Sequence, residues 1–166
     1  MTPHSDYSER EMVVLDLPQV LQIEAEAYPS PWSERIFLDC LSRRDQGYLC
    51  RTLQSKNNRV AGYAIVTLVL EECELVNFCL HRDVRGQGLG HHWLRQVVSF
   101  VREQGACQIF LEVREGNTAA QRVYLEGGFS EIGRRKGYYP ASLPIATRSP
   151  GLVAREDALI FGLMLS

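Results

Sequence analysis

The segment that most restricts this chain is Arg85-Gly86-Gln87-Gly88-Leu89-Gly90, which joins a β-rich run, Glu74 to Leu80, to an amphipathic helical stretch. The apolar residues of that stretch, Leu89, Trp93, Leu94, Val97, Val98 and Val101, have the spacing of one helix face, and Gly105 ends it. Three glycines at alternate positions in a strand-to-helix turn let several backbone N–H groups converge beside the positive end of the helix dipole. Such a surface suits phosphate. The same glycines would also serve a plain tight turn that needs positive φ. Two phosphate loops do not fit. A P-loop needs Lys-Ser/Thr after its last glycine, where this chain has His91-His92. A dinucleotide fingerprint needs glycine at the position of His91 and sits in the first βα turn, not in mid-chain.

The rest of the chain repeats strand, turn and helix. Met12 to Leu15 reads as a short strand, and Asp16 followed by Pro18 as the start of a helix running to about Ala27. Pro29, Pro31 and Ser33 mark a turn, after which Ile36, Phe37, Cys40 and Leu41 give a second helix one apolar face. Tyr48 to Leu53 and Val60 to Leu70 flank a polar turn and form a hairpin. Gln108 to Val113 is the next strand, Asn117 to Glu126 the next helix, and Gly127-Gly128 the break before a strand from Phe129 to Tyr138. An irregular stretch, Ala141 to Ala154, then leads to an apolar run, Ala158 to Leu165, expected as a closing strand buried on both faces. Without repeat or linker, this order predicts one α/β domain on a mixed sheet over residues 11–166, with residues 1–10 as a tail.

Composition removes several function classes. Eighteen Lys plus Arg against twenty Asp plus Glu leave a net charge of -2, without the basic excess that phosphate-backbone binding needs, so no nucleic-acid partner is expected. The apolar run Val60 to Leu70 is too short for a transmembrane helix, and the N-terminus has neither cationic start nor apolar centre, so neither membrane nor secretion is expected. Five cysteines, none in a C-x-x-C pair, point to reduced, buried thiols in a cytoplasmic setting. The histidines show no metal-ligand spacing, and no metal is expected.

The glycine segment resembles the Arg/Gln-x-x-Gly-x-Gly/Ala pyrophosphate loop of the GNAT superfamily of N-acetyltransferases. Beyond the loop, Pro31-Trp32-Ser33, Asn77, Leu111-Glu112-Val113-Arg114, Asn117 to Tyr124, Gly128-Phe129, Tyr138-Tyr139-Pro140 and Arg155-Glu156-Asp157-Ala158 follow the order of ribosomal-protein alanine N-acetyltransferases of the RimI type. The resemblance implies a sheet of six to seven strands flanked by about four helices, and acetyl-CoA as co-substrate. It places the coenzyme pyrophosphate on Arg85, Gly86, Gln87, Gly88, Leu89 and Gly90, and its pantetheine arm on Phe78, Cys79 and Leu80, where one N–H would polarise the thioester carbonyl.

The same resemblance makes Glu112 the general base, Tyr124 the general acid that protonates the departing thiolate, and Asn117 a coenzyme contact. From the residues alone other roles stay open. Glu112 opposes Ile109, Leu111 and Val113 in its strand and could serve an ion pair with Arg114, Tyr124 could simply pack its helix, and Asn117 could be an N-cap. Glu74 ranks second as base, and Cys79 reads as buried and structural.

An α-amine, with pKa near 8, is neutral in about one molecule in ten at pH 7, a free lysine in about one in a few thousand. A carboxylate base therefore suits protein N-termini. The resemblance implies a protein acceptor with a free N-terminal alanine on a small-subunit ribosomal protein. Small-molecule amines, protein lysines and a non-catalytic acetyl-CoA-binding module are the other readings. The stretch Ala141 to Ala154 departs from the family pattern, which joins the flanking motifs in a few residues.

Overall fold

A computed structural model of the chain describes residues 4–140 and 155–166; the expected loop at 141–154 lies outside the described residues. Seven strands form one mixed sheet: β1 (Tyr7–Glu11), β2 (Tyr48–Ser55), β3 (Val60–Val69), β4 (Glu72–Leu80), β5 (Gln108–Arg114), β6 (Ser130–Pro140) and β7 (Arg155–Met164). Their order is β1-β2-β3-β4-β5-β7-β6, antiparallel throughout except for the parallel pair β4–β5. Four helices flank the sheet: α1 (Leu17–Ala27), α2 (Glu34–Ser42), α3 (Leu89–Glu103) and α4 (Thr118–Glu126). The single-domain α/β fold expected from the sequence is present.

Each face of the sheet carries its own core. On one face Leu89, Trp93, Leu94, Val97 and Val101 of α3 pack with Tyr124 of α4 against Leu53, Ala64, Val66, Leu75 and Leu111. On the other, Leu17, Val20 and Ile23 of α1 and Phe37 and Cys40 of α2 cover Cys50, Tyr63, Ile65 and Cys79. The helix periods read from the sequence largely coincide with the buried stripes, except that Ile36 of the expected α2 face is exposed and Leu41 and Val98 are only half-buried. Asn117 caps α4, its Oδ1 accepting from the Ala120 N–H at 3.2 Å. Asn117→Ala is expected to cost about 1 kcal/mol, read as a lower urea midpoint at unchanged slope.

Three local expectations change. The first strand is Tyr7–Glu11, and Met12 to Leu15 is not a strand, since Val14–Asp16 forms a 3₁₀ turn. Glu9 binds Arg51 through two oxygens at 2.5 and 2.6 Å, and Arg51 lies over the Phe100 ring at 4.0 Å, so charge pairing docks this polar edge. Asp16 makes no cap bond to α1 and instead takes the Arg10 guanidinium at 2.7 and 2.9 Å. The closing strand is not buried on both faces: Ala158, Leu159 and Phe161 are buried, whereas Ile160, Gly162 and Leu163 are only half-buried. All five cysteines are free, and four are buried; Cys107 is exposed.

Candidate active site

The site begins with a fault in the sheet. Leu75 faces Val66 and Asn77 faces Ile65, so Val76 is an extra residue, a β-bulge in β4. The parallel rungs between β4 and β5 end at the same point, Leu75 with Leu111. Past the bulge no further β4–β5 rung forms, leaving one edge of Phe78 to Leu80 without a strand neighbour among the described residues.

Hydrogen-bond parity shows which groups face that gap. The His81 N–H donates to the Ala61 carbonyl at 2.8 Å, so the alternation of an antiparallel ladder turns Cys79 toward its partner Tyr63 in β3. Phe78 and Leu80 turn their N–H and C=O groups the other way. Their carbonyls are met by side chains: the Tyr28 hydroxyl donates to the Phe78 oxygen at 2.9 Å, and the Arg85 guanidinium donates to the Leu80 oxygen at 2.9 and 3.1 Å. Of the three residues expected to line the pantetheine arm, two, Phe78 and Leu80, turn their N–H groups to the gap, while their carbonyls are already taken by Tyr28 and Arg85. The Cys79 thiol is buried, and burial raises its pKa, which disfavours the thiolate a nucleophile would need.

The glycine loop lies at the mouth of this gap. Gly86 and Gly88 have φ of 76° and 75°, a conformation that other residues rarely adopt, and Gly88 forms the N-cap of α3. Gly90 lies inside the helix and faces α4, where a Cβ would stand 3.4 Å from the Val123 side chain, in ordinary contact, so the packing there does not demand glycine. Gly86 to Gly90 thus form a turn of backbone donors at a helix N-terminus, as a diphosphate requires, whereas the Arg85 N–H is taken by the Arg82 carbonyl at 3.3 Å.

Glu112 and Tyr124 reach the gap from opposite faces of the sheet. Glu112 alternates with the buried Ile109, Leu111 and Val113, and lies one residue beyond the last β4–β5 rung. It pairs with Arg135, Nε to Oε1 at 3.0 Å. The sequence-level alternative of an Arg114 partner is not what forms: Arg114 binds Glu156 at 3.3 Å and lies over Tyr139 at 4.3 Å. Tyr124 is buried between Phe129, Phe78 and Phe161, with ring centroids at 5.8, 6.0 and 6.3 Å. Burial, then the neighbouring Cys79 and Tyr139, raise its hydroxyl pKa, so it stays protonated as a proton donor must. Tyr139 links the two sides electrostatically: burial raises its pKa first, and Glu112 raises it further. Glu74, the second-ranked base, is exposed in the closed part of the sheet, where it faces Phe110.

One central residue was missed by sequence reasoning. Glu24 of α1 is 2% exposed; its Oε1 accepts from the Trp32 N–H at 3.0 Å, and its Oε2 accepts from Asn77 Nδ2 at 3.0 Å and from the Tyr63 hydroxyl. Glu24 thereby ties α1, the turn before α2, β3 and the bulged part of β4 together. The signal was present, since Glu24 follows Val20 by four on the apolar face of α1. Among the described residues no cluster of three His, Cys, Asp or Glu could hold a metal, and no helix is long and apolar enough to cross a membrane.

Comparison with known proteins agrees with this architecture. The acetyltransferase (GNAT) family profile matches residues 17–129. The [ribosomal protein bS18]-alanine N-acetyltransferase of Escherichia coli K12 is 35% identical over 151 residues, 91% of this chain and 93% of the relative. The crystal structure of the ribosomal-protein-S18-alanine N-acetyltransferase from Escherichia coli superposes with a TM-score of 0.82 at 33% identity, covering 96% of this chain and 94% of that one. A GNAT superfamily phosphinothricin acetyltransferase from Sinorhizobium meliloti, solved in complex with acetyl-CoA, shares the fold at 18% identity, with a TM-score of 0.77 over 96% of this chain and 89% of its own. A strand pair parted at a bulge, a glycine turn at its mouth and relatives matched along nearly the whole chain lead to one conclusion: the chain belongs to the GNAT acetyltransferase family.

Proposed function

We propose that the protein transfers acetyl from acetyl-CoA directly to the α-amine of an N-terminal alanine, and that its acceptor is ribosomal protein bS18. The observation that carries the reaction is the bulge-opened gap between β4 and β5, with Glu112 on one face and Tyr124 on the other. The acceptor comes from the relatives, which are named for bS18 and match over most of both chains.

In this mechanism the loop Arg85 to Gly90 holds the diphosphate, chiefly through the N–H groups of Gly86 to Gly90, with Asn117 at the start of α4 as a further coenzyme contact. The pantetheine arm pairs with the outward N–H groups of Phe78 and Leu80, while Cys79 stays in the ladder. Glu112, directly or through a water, takes a proton from the incoming ammonium, and the neutral amine attacks the thioester carbonyl. A β4 N–H at the gap stabilises the oxyanion. The C–S bond breaks as the tetrahedral centre collapses, and Tyr124 donates its proton to the leaving thiolate. A ribosomal acceptor places the enzyme in the cytoplasm.

The test pairs two short peptides with acetyl-CoA, one with a free N-terminal alanine, the other blocked at its terminus and carrying an internal lysine. Acetyl on the free terminus alone is expected. Acetyl on the lysine alone overturns the N-terminal assignment, and no transfer to either overturns the choice of peptide acceptor.

A further inference from the structure

The N-terminal segment returns to the coenzyme loop. β1 is fixed to β2 by its ladder and by the Glu9–Arg51 pair, and the Tyr7 N–H bonds the His4 carbonyl at 3.1 Å, which sets where His4 can lie. The His4 Nε2 sits 3.6 Å from where a Cβ on Gly88 would be. Its ring lies 5.1 Å from that of His92, which stands in the first turns of α3. Two imidazoles from distant parts of the chain thus meet over the left-handed glycine of the loop.

Their electrical setting is unusual. The first turn of α3 carries no acidic side chain to balance the positive end of its dipole. The titratable groups acting on His92 are His4 from the tail and Arg95 from α3, neither of them acidic, and Arg85 stands in the adjoining loop. Burial first, then His4 and Arg95, lower the His92 pKa from its ordinary value. The neighbouring His91 is treated differently, being paired with Glu126 of α4 at 2.5 Å. Glu126 is taken by His91, which leaves His4, His92 and Arg95 without a carboxylate partner among the described residues of this cluster, and such a group at a helix N-terminus is stabilised by an anion.

We propose that His4 and His92, with the N–H groups of the glycine loop, hold the diphosphate of the coenzyme, and that the imidazole pair takes up a proton from solvent as that anion binds. The proposal rests on the coenzyme site described under the proposed function and adds the tail to it. The sign follows from linkage. An anion favours the imidazolium, so binding raises the pKa of the pair, and the affinity must fall as pH rises through neutrality.

The experiment is calorimetric titration of the full chain with 3′-dephospho-coenzyme A, which keeps the diphosphate and lacks the titrating 3′-phosphate. It is run at pH 6 and pH 8, and in buffers of different ionisation enthalpy. The wild-type chain is expected to bind about fivefold or more tightly at pH 6 and to take up protons. The His4→Gln/His92→Gln chain is expected to bind equally at both pH values, near the wild-type pH 8 affinity, with no proton uptake. Repeating the titration with coenzyme A separates the two phosphates: a pH effect seen only with coenzyme A belongs to the 3′-phosphate and overturns the diphosphate assignment. Binding of the wild type without pH dependence, or a pH dependence that survives in the double variant, overturns the proposal and leaves the coenzyme site standing. No binding of either probe to the wild type overturns both.

Discussion

Glu112→Gln lowers turnover by two orders of magnitude or more while acetyl-CoA still binds with nearly wild-type affinity. The expectation follows from what the substitution removes. Gln keeps the shape and can still meet Arg135, whose Nε lies 3.0 Å from Oε1 in the native protein, but it cannot accept a proton from the incoming ammonium. General-base contributions are typically about 10²- to 10⁴-fold. Tyr124→Phe removes only the hydroxyl and keeps the ring packed against Phe129, Phe78 and Phe161, so it also lowers turnover and spares binding. Steady-state kinetics alongside calorimetry with acetyl-CoA check both. Unchanged turnover in Glu112→Gln moves the base to Glu74 or to water. A wild-type chain that binds acetyl-CoA and turns over no amine identifies a binding module instead.

The second large effect is on stability. Glu24→Ala removes the acceptor shared by the Trp32 N–H, the Asn77 amide and the Tyr63 hydroxyl, and leaves these buried donors without it. Each such loss costs about 1–3 kcal/mol, and relaxation offsets part of the total, so a destabilisation of about 3 kcal/mol is expected. Urea unfolding measures it. Because Asn77 lies next to the bulge and Tyr28 bonds Phe78 from the end of α1, the variant also loses acetyl-CoA affinity at temperatures where it remains folded. A change under about 1 kcal/mol contradicts the role given to Glu24 as the tie between α1 and the bulge.

How far the sequence disclosed these features depended on how local their signals are. The helices were legible because each buries a stripe of its own residues; Leu89, Trp93, Leu94, Val97 and Val101 are the buried face of α3 as their spacing predicts. The glycine loop was legible through residue type, although only Gly86 and Gly88 use positive φ. β1 was not, because Tyr7-Ser8-Glu9-Arg10-Glu11 lacks apolar alternation and is docked by ion pairs of Glu9 and Glu11 with Arg51 and Arg44, far along the chain. The bulge at Val76 was equally silent, since valine is an ordinary strand residue and the extra position exists only relative to β3. The actual partner of Glu112 was silent for a related reason: Arg114, the alternative partner, is near in sequence, but β7 lies between β5 and β6 and Arg114 pairs with Glu156 there, while Arg135 meets Glu112.

The measurement that bears most directly on the central claim is tandem mass spectrometry of intact bS18, with its native N-terminal sequence, after incubation with acetyl-CoA and the purified protein. One acetyl group on the α-nitrogen of the N-terminal alanine, and none on lysine side chains, is the predicted result. Acetyl on lysines with an unmodified N-terminus contradicts it.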